Sequence, residues 1–262
     1  MLKKRLIPVL LLQNGLLVRS ELFETHQIIG DPLHEVKRFN EWNVDELIYL
    51  DITRDNQYDL RRNDHKTEGL TNPTDILDAV SRTCFMPLTF GGRIASVEQM
   101  HAIISHGADK VTVNSAAVRN PQLITDGARI FGSQAIVVSI DVMRHDDTHT
   151  EVYIDGGRTP TGMTPEEWAA RAEQFGAGEI LLQSIKRDGV GTGYDLDLIH
   201  AVATATSIPV IACSGVGRYE QYAKGIEAGA AAVAAANIWH FRELSDRGGK
   251  RALAKAGVNV RL

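Results

Sequence analysis

The second half of this chain repeats the first half at a nearly constant offset, and this duplication constrains the fold more than any single motif. Residues 86–93 (MPLTFGGR) match residues 208–215 (IPVIACSG), which lie 122 positions later. Residues 107–111 (GADKV) match residues 229–233 (GAAAV) at the same offset. Each match is followed or preceded by a helix-length segment. Such a chain is expected to fold as two similar units that complete one core.

Eight apolar runs alternate with helix-length segments along the whole sequence. Strands that are buried on both faces of a parallel sheet have this continuous apolar pattern. The runs predict strands at 6–12, 47–52, 87–90, 110–114, 135–141, 179–183, 209–213 and 231–235. The intervening segments predict helices at 32–43, 74–84, 96–106, 120–131, 164–175, 195–206, 218–228 and 246–256. This α/β pattern predicts a single (β/α)8 TIM barrel over residues 1–262, built from half-barrels of about 1–131 and 132–262.

Composition argues against two kinds of partner. The net charge is −5 with both signs interspersed, whereas nucleic-acid binding needs a clustered basic face. We expect no membrane association, because no apolar run is long enough to span a bilayer. The apolar run at residues 6–12 contains Pro8 and is too short for a signal peptide. Cys84 and Cys213 are far apart, so we expect two reduced thiols in a cytoplasmic protein.

Two polar segments lengthen the connections between strands and helices. Residues 54–74 follow the second predicted strand, and residues 143–162 follow the fifth, with a small hairpin predicted around 151–154. Barrel enzymes place their chemistry on loops at the carboxyl ends of the strands. Both segments therefore shape a substrate mouth or form solvated flaps, and the sequence leaves these alternatives open.

Small residues recur where five of the predicted strands end, which predicts a phosphate site of backbone amides in each half. They are Gly91, Gly92, Asn114, Ser115, Asp188, Gly189, Ser214, Gly215, Ala236 and Asn237. A ligand phosphorylated at both ends would fit this pair of sites. Arg93 occupies the repeat position of Gly215, where it either reshapes one site or clamps an anion.

Acidic residues also end two of the strands. Asp141 ends the fifth strand and is a candidate general acid or base. Its repeat partner is Leu11, so a mechanism that uses one carboxylate from each half cannot operate here. Asp51 ends the second strand and is either a further site carboxylate or a structural hydrogen-bond acceptor.

Four charged residues begin strands at the opposite end of the predicted barrel. Arg5, Glu46, Lys110 and Glu179 are two cations and two anions. Buried charges need partners, so we expect one ionic ring. The ring is either a plug that closes the barrel or a gate on an axial passage, and the residues alone favour the plug.

The nine histidines show no metal-ligand spacing. His145 and His149 are four positions apart, but they lie in a predicted loop rather than a helix. We therefore expect no metal and no cofactor.

Over nearly its whole length the chain resembles the cyclase subunit of imidazole-glycerol-phosphate synthase. The matching segments are 45–53, 107–111, 114–117, 131–134, 176–182, 187–189, 193–195 and 257–262. The resemblance implies a barrel that receives ammonia along its axis from a separate glutaminase docked at the amino-terminal face. The ammonia would then react with a phosphorylated ligand at the other face.

The resemblance also implies roles for individual residues. The four residues of the ring match the ammonia gate, Asp109 matches a residue of the glutaminase interface, and Asp141 matches one of two catalytic carboxylates. The positions that match phosphate contacts are Asn114, Asp188, Gly189, Gly215 and Ala236, with Ser115 as a close replacement.

Four departures from the family pattern lie at the cyclisation end. Leu11 stands where the family has its other catalytic acid, Asn14 stands where it has aspartate, and Arg93 and Asn237 replace a glycine and a serine. This pattern is similar to paralogues encoded with surface-polysaccharide (lipopolysaccharide) genes. Their leading implied function is to accept ammonia from a glutaminase for amidination of a nucleotide-linked N-acetyl sugar by a third protein, an N-acetyl-sugar amidotransferase. The alternatives are a true cyclase of histidine biosynthesis and a phosphosugar-binding scaffold without ammonia transfer.

Overall fold

The computed structural model describes residues 3–42, 44–54, 58, 72–241 and 245–261. The strands are β1 (Arg5–Gln13), β2 (Leu16–Glu21), β3 (Thr25–Gly30), β4 (Leu47–Asp51), β5 (Leu88–Gly91), β6 (Lys110–Val113), β7 (Ile136–Arg144), β8 (Thr150–Ile154), β9 (Thr159–Pro160), β10 (Glu179–Ser184), β11 (Val210–Cys213) and β12 (Ala232–Ala235). The helices are α1 (Pro32–Trp42), α2 (Pro73–Ser81), α3 (Val97–Ser105), α4 (Ser115–Arg119), α5 (Gln122–Phe131), α6 (Pro165–Gln174), α7 (Leu196–Ala205), α8 (Gln221–Glu227), α9 (Ile238–Phe241) and α10 (Ser245–Lys255).

Eight of these strands form a closed parallel barrel in the order β1, β4, β5, β6, β7, β10, β11 and β12. The ring closes because β12 pairs with β1, and β7 pairs with β10. Each of the eight predicted strands overlaps one barrel strand, so the predicted (β/α)8 barrel is confirmed. Most of the predicted 54–74 loop lies outside the described residues.

Alternate residues of each strand face the inside and the outside of the barrel, as the pleat of a strand requires. On β1, Ile7, Val9 and Leu11 belong to an inner apolar cluster that includes Ile48 and Leu181. Leu6, Leu10 and Leu12 of β1 pack in a second cluster with the surrounding helices. Burial on both faces explains why these strands have continuous apolar sequences.

A hairpin that the sequence did not predict follows β1. Asn14 (φ 52°) and Gly15 (φ 77°) form a two-residue turn, and β2 then pairs antiparallel with β1 and with β3. Asn-Gly favours such turns because both residues adopt positive φ readily. The predicted hairpin around 151–154 is confirmed, because β8 pairs antiparallel with the extended end of β7.

The turns after β5 and β11 show the internal repeat in the backbone itself. Gly92 and Arg93 have φ values of 117° and 55°, and their repeat partners Ser214 and Gly215 have φ values of 77° and 97°. Both halves therefore have two successive residues with positive φ at the same position of the repeat. Within the described residues, no helix is both long and apolar enough to cross a membrane.

Candidate functional site

A cavity of about 480 Å³ lies at the carboxyl ends of the barrel strands, within the size range of small-molecule sites. It brings together the residues predicted at this end of the barrel. They are Leu11, Asp51, Gly92, Arg93, Asn114, Ser115, Asp141, Asp188, Gly189, Ser214, Gly215, Ala236 and Asn237, whereas the predicted Gly91 does not line it. The ring residues and Asp109 do not line this cavity.

Asp141 is a buried carboxylate at the wall of the cavity, with 6% of its surface exposed. Its Oδ1 accepts hydrogen bonds from Gln183 Nε2 at 3.0 Å and from Ser139 Oγ at 3.4 Å. Burial raises the pKa of Asp141 to about 7, although hydrogen bonds from Gln183, Asn114 and Ser139 oppose the rise. A carboxyl group with this pKa can exchange a proton near neutral pH.

Leu11 lines the same cavity and is 7% exposed. It pairs in register with Leu50 of β4 on one side and with Val18 of β2 on the other. Its side chain joins the inner apolar cluster with both of them. An aliphatic side chain at this position cannot exchange protons with a ligand.

Asp51 and Arg93 form an ion pair at the rim of the cavity. Asp51 Oδ2 accepts from Arg93 Nη2 at 2.7 Å and from Tyr58 Oη at 3.0 Å, while Oδ1 accepts from Thr53 Oγ1 at 2.5 Å. The guanidinium of Arg93 also lies 5.7 Å from the centre of the Tyr58 ring. Of the two alternatives for Arg93, a reshaped phosphate site therefore fits better than a free anion clamp.

The hairpin of β2 and β3 is hydrogen-bonded to the second predicted phosphate site. Ser20 Oγ donates to Asp188 Oδ2 at 2.6 Å, and Asn237 Nδ2 donates to Ser20 O at 2.8 Å. Gly189 has φ 73°, and a Cβ there would lie 2.3 Å from Ser20 O, so a side chain would clash. Burial raises the pKa of Asp188, although the hydrogen bond from Ser20 opposes the rise. The sequence alone does not predict this role of the hairpin, although the Asn14-Gly15 dipeptide signals the turn that begins it.

The segment after β8 contributes to the first predicted phosphate site. Asp155 N donates to Ser115 Oγ at 2.9 Å, and Arg119 Nη2 contacts both carboxylate oxygens of Asp155 at 2.6 and 2.7 Å. Asp155 and Arg158 both line the cavity. The excursion at 143–162 is therefore part of the mouth rather than only a solvated flap.

At the amino-terminal end of the barrel, Arg5, Glu46, Lys110 and Glu179 form a closed ring of ion pairs. Arg5 lies 2.5 Å from both Glu46 and Glu179, and Lys110 lies 3.1 Å from Glu46 and 2.7 Å from Glu179. Burial lowers the pKa of Arg5, but the two glutamates outweigh it and raise the pKa above its ordinary value. Asp109, beside the ring, is exposed and accepts a hydrogen bond from Leu88 N at 2.8 Å.

The raised pKa of Asp141 predicts a pH-dependent stability. In the folded chain the carboxyl group of Asp141 keeps its proton up to about pH 7, whereas in the unfolded chain it loses the proton at about pH 3.9. The folded state therefore binds more protons between these pH values, and the free energy of unfolding falls as the pH rises. The variant Asp141→Asn lacks this effect. Its stability relative to wild type is expected to improve by about 3 kcal/mol between about pH 5 and about pH 8. Urea denaturation at both pH values measures the difference, and an equal difference at both would contradict the shifted pKa.

The closed barrel and the polar cavity at the carboxyl ends of its strands place this chain in the (β/α)8-barrel class, whose enzymes carry their sites at that end. The profile of the histidine biosynthesis protein family matches residues 5–245, and the chain belongs to this family.

Three curated relatives, each called imidazole glycerol phosphate synthase subunit HisF, match the whole chain. The protein of Caulobacter vibrioides is 44% identical over 267 residues, which cover 97% of its own length. The protein of Gluconacetobacter diazotrophicus is 41% identical over 264 residues, with 97% of its length covered. The protein of Alkaliphilus metalliredigens is 41% identical over 262 residues, with 100% covered.

Proposed function

We propose that this chain is the barrel subunit of a glutamine-dependent synthase of the imidazole glycerol phosphate synthase type. The observation that carries the proposal is the full-length similarity to subunits of that name. In this role the chain accepts ammonia from a partner glutaminase at its amino-terminal face. The ammonia is used in the cavity at the opposite end.

The amino-terminal face has features that suit such a partner. The side chains of Arg5 and Lys110 are partly exposed, which suits a gate better than a permanent plug. Asp109 is exposed beside them, and Phe85, three residues before β5, is 88% exposed. Exposed aromatic side chains are enriched in protein interfaces.

The cavity suits a phosphorylated ligand held at two ends. We assign one phosphate to the turns at Asn114 and Ser115, narrowed by Arg93, and the other to Gly189, Gly215 and the Ala236–Asn237 turn. Asp141 serves as the general acid or base between them, because its carboxyl group titrates near neutrality.

Two reactions are candidates for this cavity. The names of the relatives favour cyclisation to imidazole glycerol phosphate. The apolar surroundings of Leu11 favour the second candidate, in which the barrel supplies ammonia for amidination of a nucleotide-linked N-acetyl sugar by an N-acetyl-sugar amidotransferase. Whichever of the two reactions is the native one, we infer that this chain catalyses cyclisation slowly. Asp141 is present, but Leu11 replaces the second expected proton-transfer group.

Glutaminase activity tests the shared part of the proposal. Adding the barrel to a candidate partner glutaminase is expected to raise glutamate release at least about fivefold, as for typical coupled sites. Phe85→Ser should weaken this stimulation, whereas Phe241→Ser should not. Phe241 is also exposed (61%) but lies on α9, after the carboxyl end of β12. No stimulation by the wild-type barrel would refute the proposal.

Complementation of a histidine auxotroph separates the two reactions. Growth supported by this chain and its glutaminase would assign cyclisation. Glutaminase stimulation without growth would favour the amidination route. A barrel that binds phosphosugars but never stimulates a glutaminase would be a scaffold.

A further inference from the structure

The tip of the β7–β8 hairpin brings the rings of two histidines close together. His145 N donates to His149 O at 2.9 Å, which closes the turn, and the two imidazole rings lie 4.8 Å apart. Asp146 Oδ1 braces the turn by accepting from Thr148 N at 2.8 Å and from His149 N at 2.9 Å. The loop predicted at these histidines is the turn of the hairpin, and the strands on either side of it pair up to Arg144 and Thr150.

A carboxylate from the opposite strand completes the cluster. Glu151 pairs in register with Met143, and its Oε2 lies 3.4 Å from His145 Nε2. Its Oε1 accepts from Gly162 N at 2.8 Å, which fixes the carboxylate. One ligand atom of each of His145, His149 and Glu151 lies within 4.8 Å of the others.

We propose that His145, His149 and Glu151 form a binding site for a transition-metal ion of the Zn²⁺ class. Two imidazoles and one carboxylate are a known ligand set for zinc, with bonds of about 2.0–2.2 Å and therefore about 3.3–3.6 Å between tetrahedral ligands. The separation of 3.4 Å between His145 and Glu151 fits this range. His149 is exposed, so a rotation of its side chain can bring the third ligand into range.

The chemistry of the ligands limits which ions fit. Imidazole nitrogen suits zinc, copper and nickel, whereas calcium and magnesium prefer oxygen ligands. Three protein ligands leave at least one coordination position for water. The proposed site replaces the expectation of no metal, which rests on the spacing of the histidines alone.

The hairpin connects this site to the cavity. Glu151 is hydrogen-bonded to Gly162, and the segment between them carries Asp155 and Arg158 into the cavity wall. An ion bound at the tip would therefore join both sides of this excursion. We expect the bound ion to slow amide hydrogen exchange in residues 145–162. An ion bound to a single surface histidine elsewhere would not have this effect.

Isothermal titration of the full chain with Zn²⁺ tests the site. One ion per chain is expected at neutral pH, and His145→Ala, His149→Ala and Glu151→Gln should each weaken binding by about tenfold or more. His200→Ala is the matched control, because His200 is exposed on α7, outside this cluster.

Two outcomes would overturn the site. One is Zn²⁺ binding that survives all three substitutions or is weakened equally by His200→Ala, which would mark adventitious surface binding. The other is binding that excess Mg²⁺ displaces, which would indicate oxygen ligands alone. The three side chains are at the surface or partly exposed, so each variant is expected to fold.

Discussion

Replacement of Leu11 by aspartate is expected to raise the rate of imidazole glycerol phosphate formation by about 10²- to 10⁴-fold, the range attributed to general acid–base catalysis. Leu11 lines the cavity on β1 and is the repeat partner of Asp141 on β7. A carboxylate there would restore a second group that can transfer a proton. The rate is measured with ammonium salt in place of a glutaminase, so that the result does not depend on the partner.

Asparagine at the same position is the control for Leu11→Asp. It has nearly the same size and polarity but cannot exchange a proton, so its rate should stay near that of wild type. Adding Asp141→Asn to the Leu11→Asp variant should remove the gain. Equal rates for the aspartate and asparagine variants would show that residue 11 does not limit the reaction.

A second large effect is expected from Glu46→Ala, which should lower the free energy of unfolding by about 3–5 kcal/mol. Glu46 is 2% exposed and accepts hydrogen bonds from Arg5, Lys110 and Thr89. Its removal leaves two cations facing a single carboxylate in a partly buried ring. Urea denaturation measures the loss.

The control for Glu46→Ala is Glu227→Ala, which breaks an ion pair with Lys224 in which both side chains are more than half exposed. Exposed pairs contribute at most about 1 kcal/mol, so this variant should unfold nearly as wild type does. If both variants lose the same small amount, the ring does not stabilise the fold.

The double variant Glu46→Ala with Lys110→Ala separates a gate from a plug. It removes one anion and one cation and leaves the pair of Arg5 and Glu179 intact. Its loss of unfolding free energy should therefore be smaller than the sum of the losses in the two single variants. If the ring is a gate, the ratio of glutamine-dependent to ammonium-dependent activity should fall. If the ring is a plug, or the barrel is only a scaffold, that ratio should not change.

The barrel was predictable because its strands are buried on both faces and therefore appear as uninterrupted apolar runs. The β2–β3 hairpin was not, since β3 is largely exposed or half-buried and has no such run. The apolar run at residues 6–12 predicts a strand that stops before Asn14-Gly15, although that dipeptide also marks a tight turn between paired strands.

The candidate site was predictable to the extent that it depends on strand ends. Asp141 and the small residues lie where a parallel barrel must place them, whichever side chains surround them. The pairing of Arg93 with Asp51 depends on a left-handed backbone turn and on side-chain reach, which one sequence does not specify. The contact of Glu151 with His145 likewise depends on hairpin register.

The closed ionic ring limits how this end of the protein can evolve. Each cation contacts both anions, so no pair is independent of the other two residues. Exchanging the charges of Arg5 and Glu46 alone would create like-charge neighbours at two of the four contacts. Only a simultaneous exchange of all four charges restores every attraction. The effect of changing one residue therefore depends strongly on the other three, and single mutations in the ring are expected to be unfavourable.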